Sequence, residues 1–128
     1  MLTGKDYCDY DTCVALREMG YDGYCAAYYH LFDDEDDAQN SFEYAYGFDF
    51  QNSNNIYRVG APLLYQAQKW LREEKHLHIE IRWFSNLWYE YEVKEAEGKR
   101  LAVLSAFPTY EEALSTAVRM AVEYLKEK

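Results

Sequence analysis

The stretch LHIEIRWFSNLWYEYEVKEAEGKRLAVLSAF, residues 77–107, decides the fold class. Leu77, Ile79, Ile81 and Trp83 alternate with His78, Glu80 and Arg82, a period of two that predicts a half-buried strand. A tight connection at SNL leads to WYEYEV, where Tyr89, Tyr91 and Val93 oppose Trp88, Glu90 and Glu92. EAEGK turns the chain again through Gly98, and RLAVLSAF supplies a third strand. Three strands joined by such short turns predict an antiparallel meander, because parallel neighbours need long crossovers.

Helices flank this block. APLLYQAQKWLREEK predicts a helix over 61–75, with Pro62 in its first turn and Leu64, Ala67, Trp70 and Leu71 returning at helical spacing. After Pro108, Thr109 and Glu112 have capping-box spacing, and Tyr110, Ala113, Leu114, Ala117, Ala121, Tyr124 and Leu125 form an apolar stripe. Near the N-terminus, DYDTCVALREMG predicts a short helix capped by Asp9 or Asp11 and closed by Gly20.

Between these helices lie two strand signals. YCAAYYHLF, from Tyr24 to Phe32, is β-prone and unbroken. FEYAYGFDF, from Phe42 to Phe50, places Phe42, Tyr44, Tyr46, Phe48 and Phe50 on one side and Glu43, Ala45, Gly47 and Asp49 on the other. They predict a hairpin with HLFDDEDDAQN at its tip, and QNSNN after Phe50 reads as a loop. The order helix, two strands, helix, three strands, helix predicts an α+β fold: a two-strand hairpin plus a three-strand meander packed with about three helices. At 128 residues, this is the size of a single domain, 1–128.

Charge is unevenly placed. Residues 1–54 hold 12 acids against Lys5 and Arg17, while residues 55–128 balance 11 acids with 11 bases, so the net charge of −10 lies in the first part. A field of that sign repels phosphate backbones and favours cationic partners. The acidic peak is Asp33, Asp34, Glu35, Asp36 and Asp37. No glycine or glutamate follows at calcium-loop spacing, and adjacent carboxylates diverge, which predicts a solvated tip or acidic contact surface and no metal. Acids near tyrosines suit arginine-rich surfaces through charge pairing and cation–π contact. The expected partner-binding residues are therefore Asp33, Asp34, Glu35, Asp36, Asp37, Asp22, Tyr28 and Tyr29, with Trp88 and Tyr57 as further exposed aromatics.

Enzyme signals are weak. The chain contains no G-x-S-x-G elbow and no glycine-rich phosphate loop. Cys8, Cys13 and Cys25 lack C-x-x-C spacing and read as reduced small hydrophobes. His76, His78 and Glu80, on one strand face, are the alternative for a metal-dependent enzyme, and Tyr44, Tyr46 and Trp88 the alternative lining for a small-molecule or nucleotide-derivative pocket. The leading expectation is no catalytic residue, no cofactor and no metal. No apolar run of membrane length and no signal-peptide pattern occurs, which predicts a cytoplasmic protein that meets neither membrane nor nucleic acid directly.

TCVALREMGYDGYCAAYY, APLLYQAQKWLREEKHLHIEI and TYEEALSTAVRMAVEYL together resemble uncharacterised small proteins of Bacteroidetes-type gut bacteria and their phages or prophages. The shared features are a helix ending in a Gly-containing segment before Cys and aromatics, an AP-x-x-Y-Q-x-A helix ending in WLRE, and a closing TYEEA helix. The resemblance covers about half the chain and excludes the DDEDD run. It implies phage or mobile-element accessory genes and carries no catalytic role. Together with the charge, it leads to the expectation of a non-enzymatic interaction protein whose acidic N-terminal half binds a basic host protein. Inhibition of a nucleic-acid-handling or defence complex by nucleic-acid mimicry is one form that binding would take.

Overall fold

The computed structural model describes residues 4–31, 35–45, 50–51, 57–84 and 88–128. Its elements run α1 (Tyr10–Glu18), β1 (Tyr24–Cys25), β2 (Ala27–His30), α2 (Glu35–Gln39), β3 (Glu43–Tyr44), β4 (Phe50–Gln51), β5 (Arg58–Gly60), α3 (Leu64–Glu74), β6 (Leu77–Phe84), β7 (Trp88–Glu95), β8 (Arg100–Phe107) and α4 (Tyr110–Lys126). The fold is α+β, with antiparallel pairing throughout the described strands. By contact the chain divides into two compact units, Met1–Leu63 and Leu64–Lys128.

In the first unit, α1 is bounded as its residues predict. The Asp9 carboxylate accepts from the Thr12 amide at 2.9 Å, satisfying one of the donors a helix start leaves open. At the other end Gly20 has φ +105°. The Gly20 amide bonds the Arg17 carbonyl and the Tyr21 amide bonds the Leu16 carbonyl, which completes a Schellman closure and folds the Tyr21 ring into the core. Cys13, Ala15 and Leu16 form the buried side of α1, and Cys8, Cys25, Ala27, Tyr29, Val59 and Ala61 pack in the same core.

The predicted hairpin forms in pieces. β2 is the centre of a three-stranded sheet, β3-β2-β5, with Ala27 opposite Tyr44 and His30 opposite Arg58. Tyr24 instead pairs with Gln51 and Cys25 with Phe50, in a separate ladder of β1 and β4. Four more residues stand on the second arm between these two registers than on the first, so Phe42–Phe50 is not one continuous strand. Its aromatic side divides accordingly: Phe42 and Tyr44 pack around Tyr7 at 5.3 and 5.9 Å, while Phe50 lies on Tyr28 at 5.1 Å. Tyr44 is 58% exposed and belongs to no sealed core face. Tyr46 and Phe48 lie outside the described residues.

The acidic tip also differs from a plain turn. Residues 35–39 form one helical turn, α2, that buries Ala38. Ser41 closes it: its hydroxyl donates to the Ala38 carbonyl at 2.6 Å and accepts from the His30 amide at 2.8 Å. β5 is three residues cut from a segment with no period of its own, so nothing in the sequence predicts it. It is recruited by the open edge of β2.

In the second unit the meander β6-β7-β8 matches its pattern, and α3 and α4 pack on its apolar side. Leu77, Ile79, Tyr91 and Val93 face Leu64, Ala67 and Leu71 of α3 and the Ala113, Leu114, Ala117, Val118, Ala121, Val122 stripe of α4. The Thr109 hydroxyl accepts from the Glu112 amide at 3.1 Å and starts α4 where the capping spacing placed it. α3 begins at Leu64 rather than at 61, because Leu63 is held in a bridge with Tyr7 and the Pro62 carbonyl accepts from the Cys8 amide. Trp83 alternates inward but is 65% exposed, beyond the reach of the helices. β8 carries two irregularities, one opposite the Val93–Lys94 step and one opposite Tyr89–Tyr91, where Ala106 takes φ +76°.

Candidate functional site

The outer face of the β3-β2-β5 sheet gathers the first unit's polar chemistry. Side chains on β2 alternate, so Ala27 and Tyr29 go to the core and Tyr28 and His30 face outward. Glu43, opposite Tyr28, and Arg58, opposite His30, join them. The Tyr28 hydroxyl donates to Glu43 at 2.8 Å, and His30 Nε2 lies 3.2 Å from the other carboxylate oxygen. The Arg58 guanidinium sits over the Tyr28 ring at 4.7 Å, and the Arg58 carbonyl accepts from Arg17 on α1 at 2.9 Å. The Tyr28 and His30 hydrogen bonds hold the Glu43 carboxyl below its ordinary range, and the same bond to Glu43 pushes the Tyr28 phenol up.

The phenol is bound to the carboxylate and its ionisation is opposed, so it is a poor nucleophile. The imidazole also faces the carboxylate, so Tyr28 and His30 share Glu43 as a partner. The cysteines offer no substitute: Cys8, Cys13 and Cys25 are buried free thiols, and burial raises all three, Cys25 to about 12. They remain protonated near neutrality.

The expected contact residues separate by burial. Asp22 and Asp37 are exposed, and Tyr28 is half-buried on the outer face. Tyr29 requires correction. It is 5% exposed, its hydroxyl donates to the Cys8 carbonyl at 3.1 Å, and its ring packs on Tyr10 and Phe42, because odd positions of β2 face inward. Asp33 and Asp34 lie outside the described residues, as do the side chains of Glu35 and Asp36. The exposed acids Asp11, Glu18, Asp22, Asp37 and Glu43 share the unit with Tyr24, Tyr44 and Tyr57, which are 56%, 58% and 71% exposed. Unit Met1–Leu63 has 12 acids against Lys5, Arg17 and Arg58, a net −9, while the rest has 11 acids against ten bases, a net −1.

The second unit neutralises its own acids. On the outer face of its sheet, Arg82 Nη1 lies 2.9 Å from Glu80 and 3.0 Å from Glu92, Arg82 Nη2 lies 3.1 Å from Glu90, and Lys94 lies 3.3 Å from Glu92. Arg100 bonds the other Glu92 oxygen. Glu92 is 2% exposed, with Arg82, Lys94 and Arg100 all on its carboxylate, so it is shielded from water yet surrounded by positive charge. Arg82 foremost, with Arg100 and Lys94, holds its carboxyl at about 2 against the opposing effect of desolvation. The sequence reading placed Glu92 outward correctly but missed its burial. The available signal was Arg82 and Arg100 on the flanking strands and Lys94 two residues on.

The alternative set His76, His78 and Glu80 does not assemble on one strand face. His76 stands outside β6 with φ +58° and does not continue the strand face of His78 and Glu80. Among the described residues no group of three or more His, Cys, Asp or Glu side chains is arranged to hold a metal ion. Tyr44 belongs to the first unit and Trp88 to the second, and Tyr46 lies outside the described residues. Among the described residues no helix is long and apolar enough to cross a membrane. In comparisons with known proteins, no family model, no curated protein and no solved structure matches this chain.

Proposed function

We propose that this chain is a non-enzymatic interaction protein whose unit Met1–Leu63 binds a basic surface on another protein. The observation that carries the reading is the contrast in charge between the units. The second unit matches Glu80, Glu90 and Glu92 with its own cations, whereas the first keeps a net −9 with exposed acids beside exposed tyrosines. Carboxylates attract arginine and lysine at long range and speed association, and tyrosine rings then supply contact area and cation–π partners. The same field disfavours direct contact with nucleic acid. The fuller form of the proposal is a phage or mobile-element protein in the host cytoplasm, where three buried thiols stay reduced, acting on a nucleic-acid-handling or defence complex by occupying a phosphate-binding groove.

The test is affinity purification from host lysate at a series of salt concentrations, with the parent chain and a variant carrying D33N, D34N, E35Q, D36N and D37N. A basic protein retained at low salt, released as salt rises and lost with the variant supports the reading. Recovery of nothing basic, or equal retention by the variant, sinks it.

A further inference from the structure

The free edge of β8 adjoins a cleft of about 210 Å³ in the second unit. One wall is Met120, Glu123 and Tyr124 of α4 with its C-cap Glu127, at i, i+3, i+4 and i+7, and the floor is Val93. The other wall is Leu101 and Ala102. Successive strand residues ordinarily point to opposite faces, but the irregularity opposite Val93–Lys94 turns both into the same cleft. Among the described residues no strand pairs with the side of β8 away from β7. Arg100 is the one charge on this strand, and it is engaged by Glu92 on the outer face, so the edge lacks the charged side chains that ordinarily blunt open edges. Val103 and Leu104 are 40% and 53% exposed, and Met120 is 43% exposed.

From these features we infer that the β8 edge is a strand-addition site for an extended peptide segment carrying a lysine or arginine. Its backbone pairs along Ala102–Ser105, the stretch between the two irregularities, and every second side chain then points to the helix side of the sheet. One of them enters the cleft. An apolar floor with two acids at its mouth suits a long aliphatic stem ending in a cation, which buries the stem and leaves the charge at the rim. Glu123 and Glu127 are the acids. The nearby cations are Lys126, 3.7 Å from Glu123, and Lys128, which is held by Glu95 at 3.8 Å and lies over the Tyr124 ring at 4.8 Å. The exposed Lys126 pair is weak enough for an incoming cation to displace. This site lies apart from the acidic surface of the first unit and does not rest on the function proposed for it.

The experiment titrates the full isotope-labelled chain with a blocked pentapeptide of alternating threonine and valine with lysine at its centre, followed by NMR. Amide shifts should concentrate on residues 101–105 and 120–127. An analogue N-methylated at alternate residues, which cannot extend the ladder, should not bind. E123Q combined with E127Q should weaken the lysine peptide by about fivefold, the scale of two partly exposed ion pairs, and leave a norleucine analogue unchanged. The five-acid variant described above should bind the peptide as the parent does. Shifts confined to the first unit, equal binding of the N-methylated peptide, or equal affinity in the E123Q/E127Q chain would overturn the inference without touching the proposed function. Loss of peptide binding in the five-acid variant would overturn it as well.

Discussion

Glu80 and Glu92 stand directly opposite each other in the ladder of β6 and β7. Two facing carboxylates repel, and Arg82 and Lys94 resolve the conflict by reaching both: Arg82 at 2.9 and 3.0 Å, Lys94 at 4.0 and 3.3 Å. The two acids are not equivalent. Glu80 is solvated, whereas Glu92 is the enclosed anion around which three cations are arranged. Glu92→Gln should therefore lower the stability of the second unit, leaving the cations to repel one another, and Glu80→Gln should change it little. Trp70, Trp83 and Trp88 all belong to this unit, so urea unfolding followed by tryptophan fluorescence reads it selectively. Equal effects of the two substitutions would contradict the assignment.

The same site sets a pH dependence. The folded-state pKa of Glu92, about 2, lies below the ordinary 4.5, so its stabilisation is complete above 4.5 and is lost as pH falls towards 2. Glu95 is also lowered, chiefly by the Tyr124 hydroxyl at 2.5 Å, and adds in the same direction. The stability gap between the parent and Glu92→Gln should narrow steadily across that acid window. A gap that stays constant from neutral pH to pH 2 would show that the carboxylate charge is not what stabilises the sheet.

His76 and Ala106 hold left-handed backbone at φ +58° and +76°. A side chain there crowds the following carbonyl, and glycine does not. His76 occupies the position after the last turn of α3, where glycine is the usual residue. His76→Gly and Ala106→Gly should each stabilise the second unit by about 0.5–1 kcal/mol, net of glycine's greater freedom in the unfolded chain. Destabilisation by either would mean that its side chain makes a contact outweighing the backbone gain.

The three thiols should resist alkylation. Burial keeps Cys8, Cys13 and Cys25 protonated and out of reach, so iodoacetamide at neutral pH should label the native chain slowly and at most substoichiometrically. In denaturant all three should react. Rapid labelling of any one in the native chain would place that thiol at the surface.

Helix caps offer a direct check on both units. Thr109→Ala should cost the second unit about 1 kcal/mol, and Asp9→Ala should cost the first a similar amount, because each removes the acceptor for an open helix donor. The first unit contains no tryptophan, so its unfolding shows as a circular-dichroism change that the tryptophan fluorescence of the second unit does not follow. No loss on either substitution would show that water replaces the cap without cost.

The sequence by itself determined the second unit closely. Its strands are eight residues long and follow one another closely in the chain, so alternation decides which side chains face the helices, and Thr109 sets the start of α4. It also placed the acidic excess, since charge is a matter of composition. The sequence also bounded α1, but tertiary structure decided the sheets of the first unit, where strands of two to four residues pair with partners far along the chain. There the run is too short for alternation to separate core from surface. That is why Tyr29 reads like Tyr28 in sequence yet lies in the core, why no pattern marks β5, and why Phe42 and Tyr44 join one aromatic cluster and Phe50 another. Glu92 belongs to the same class: its outward direction follows from the period, but its enclosure depends on cations brought from neighbouring strands by a register that only the folded sheet supplies.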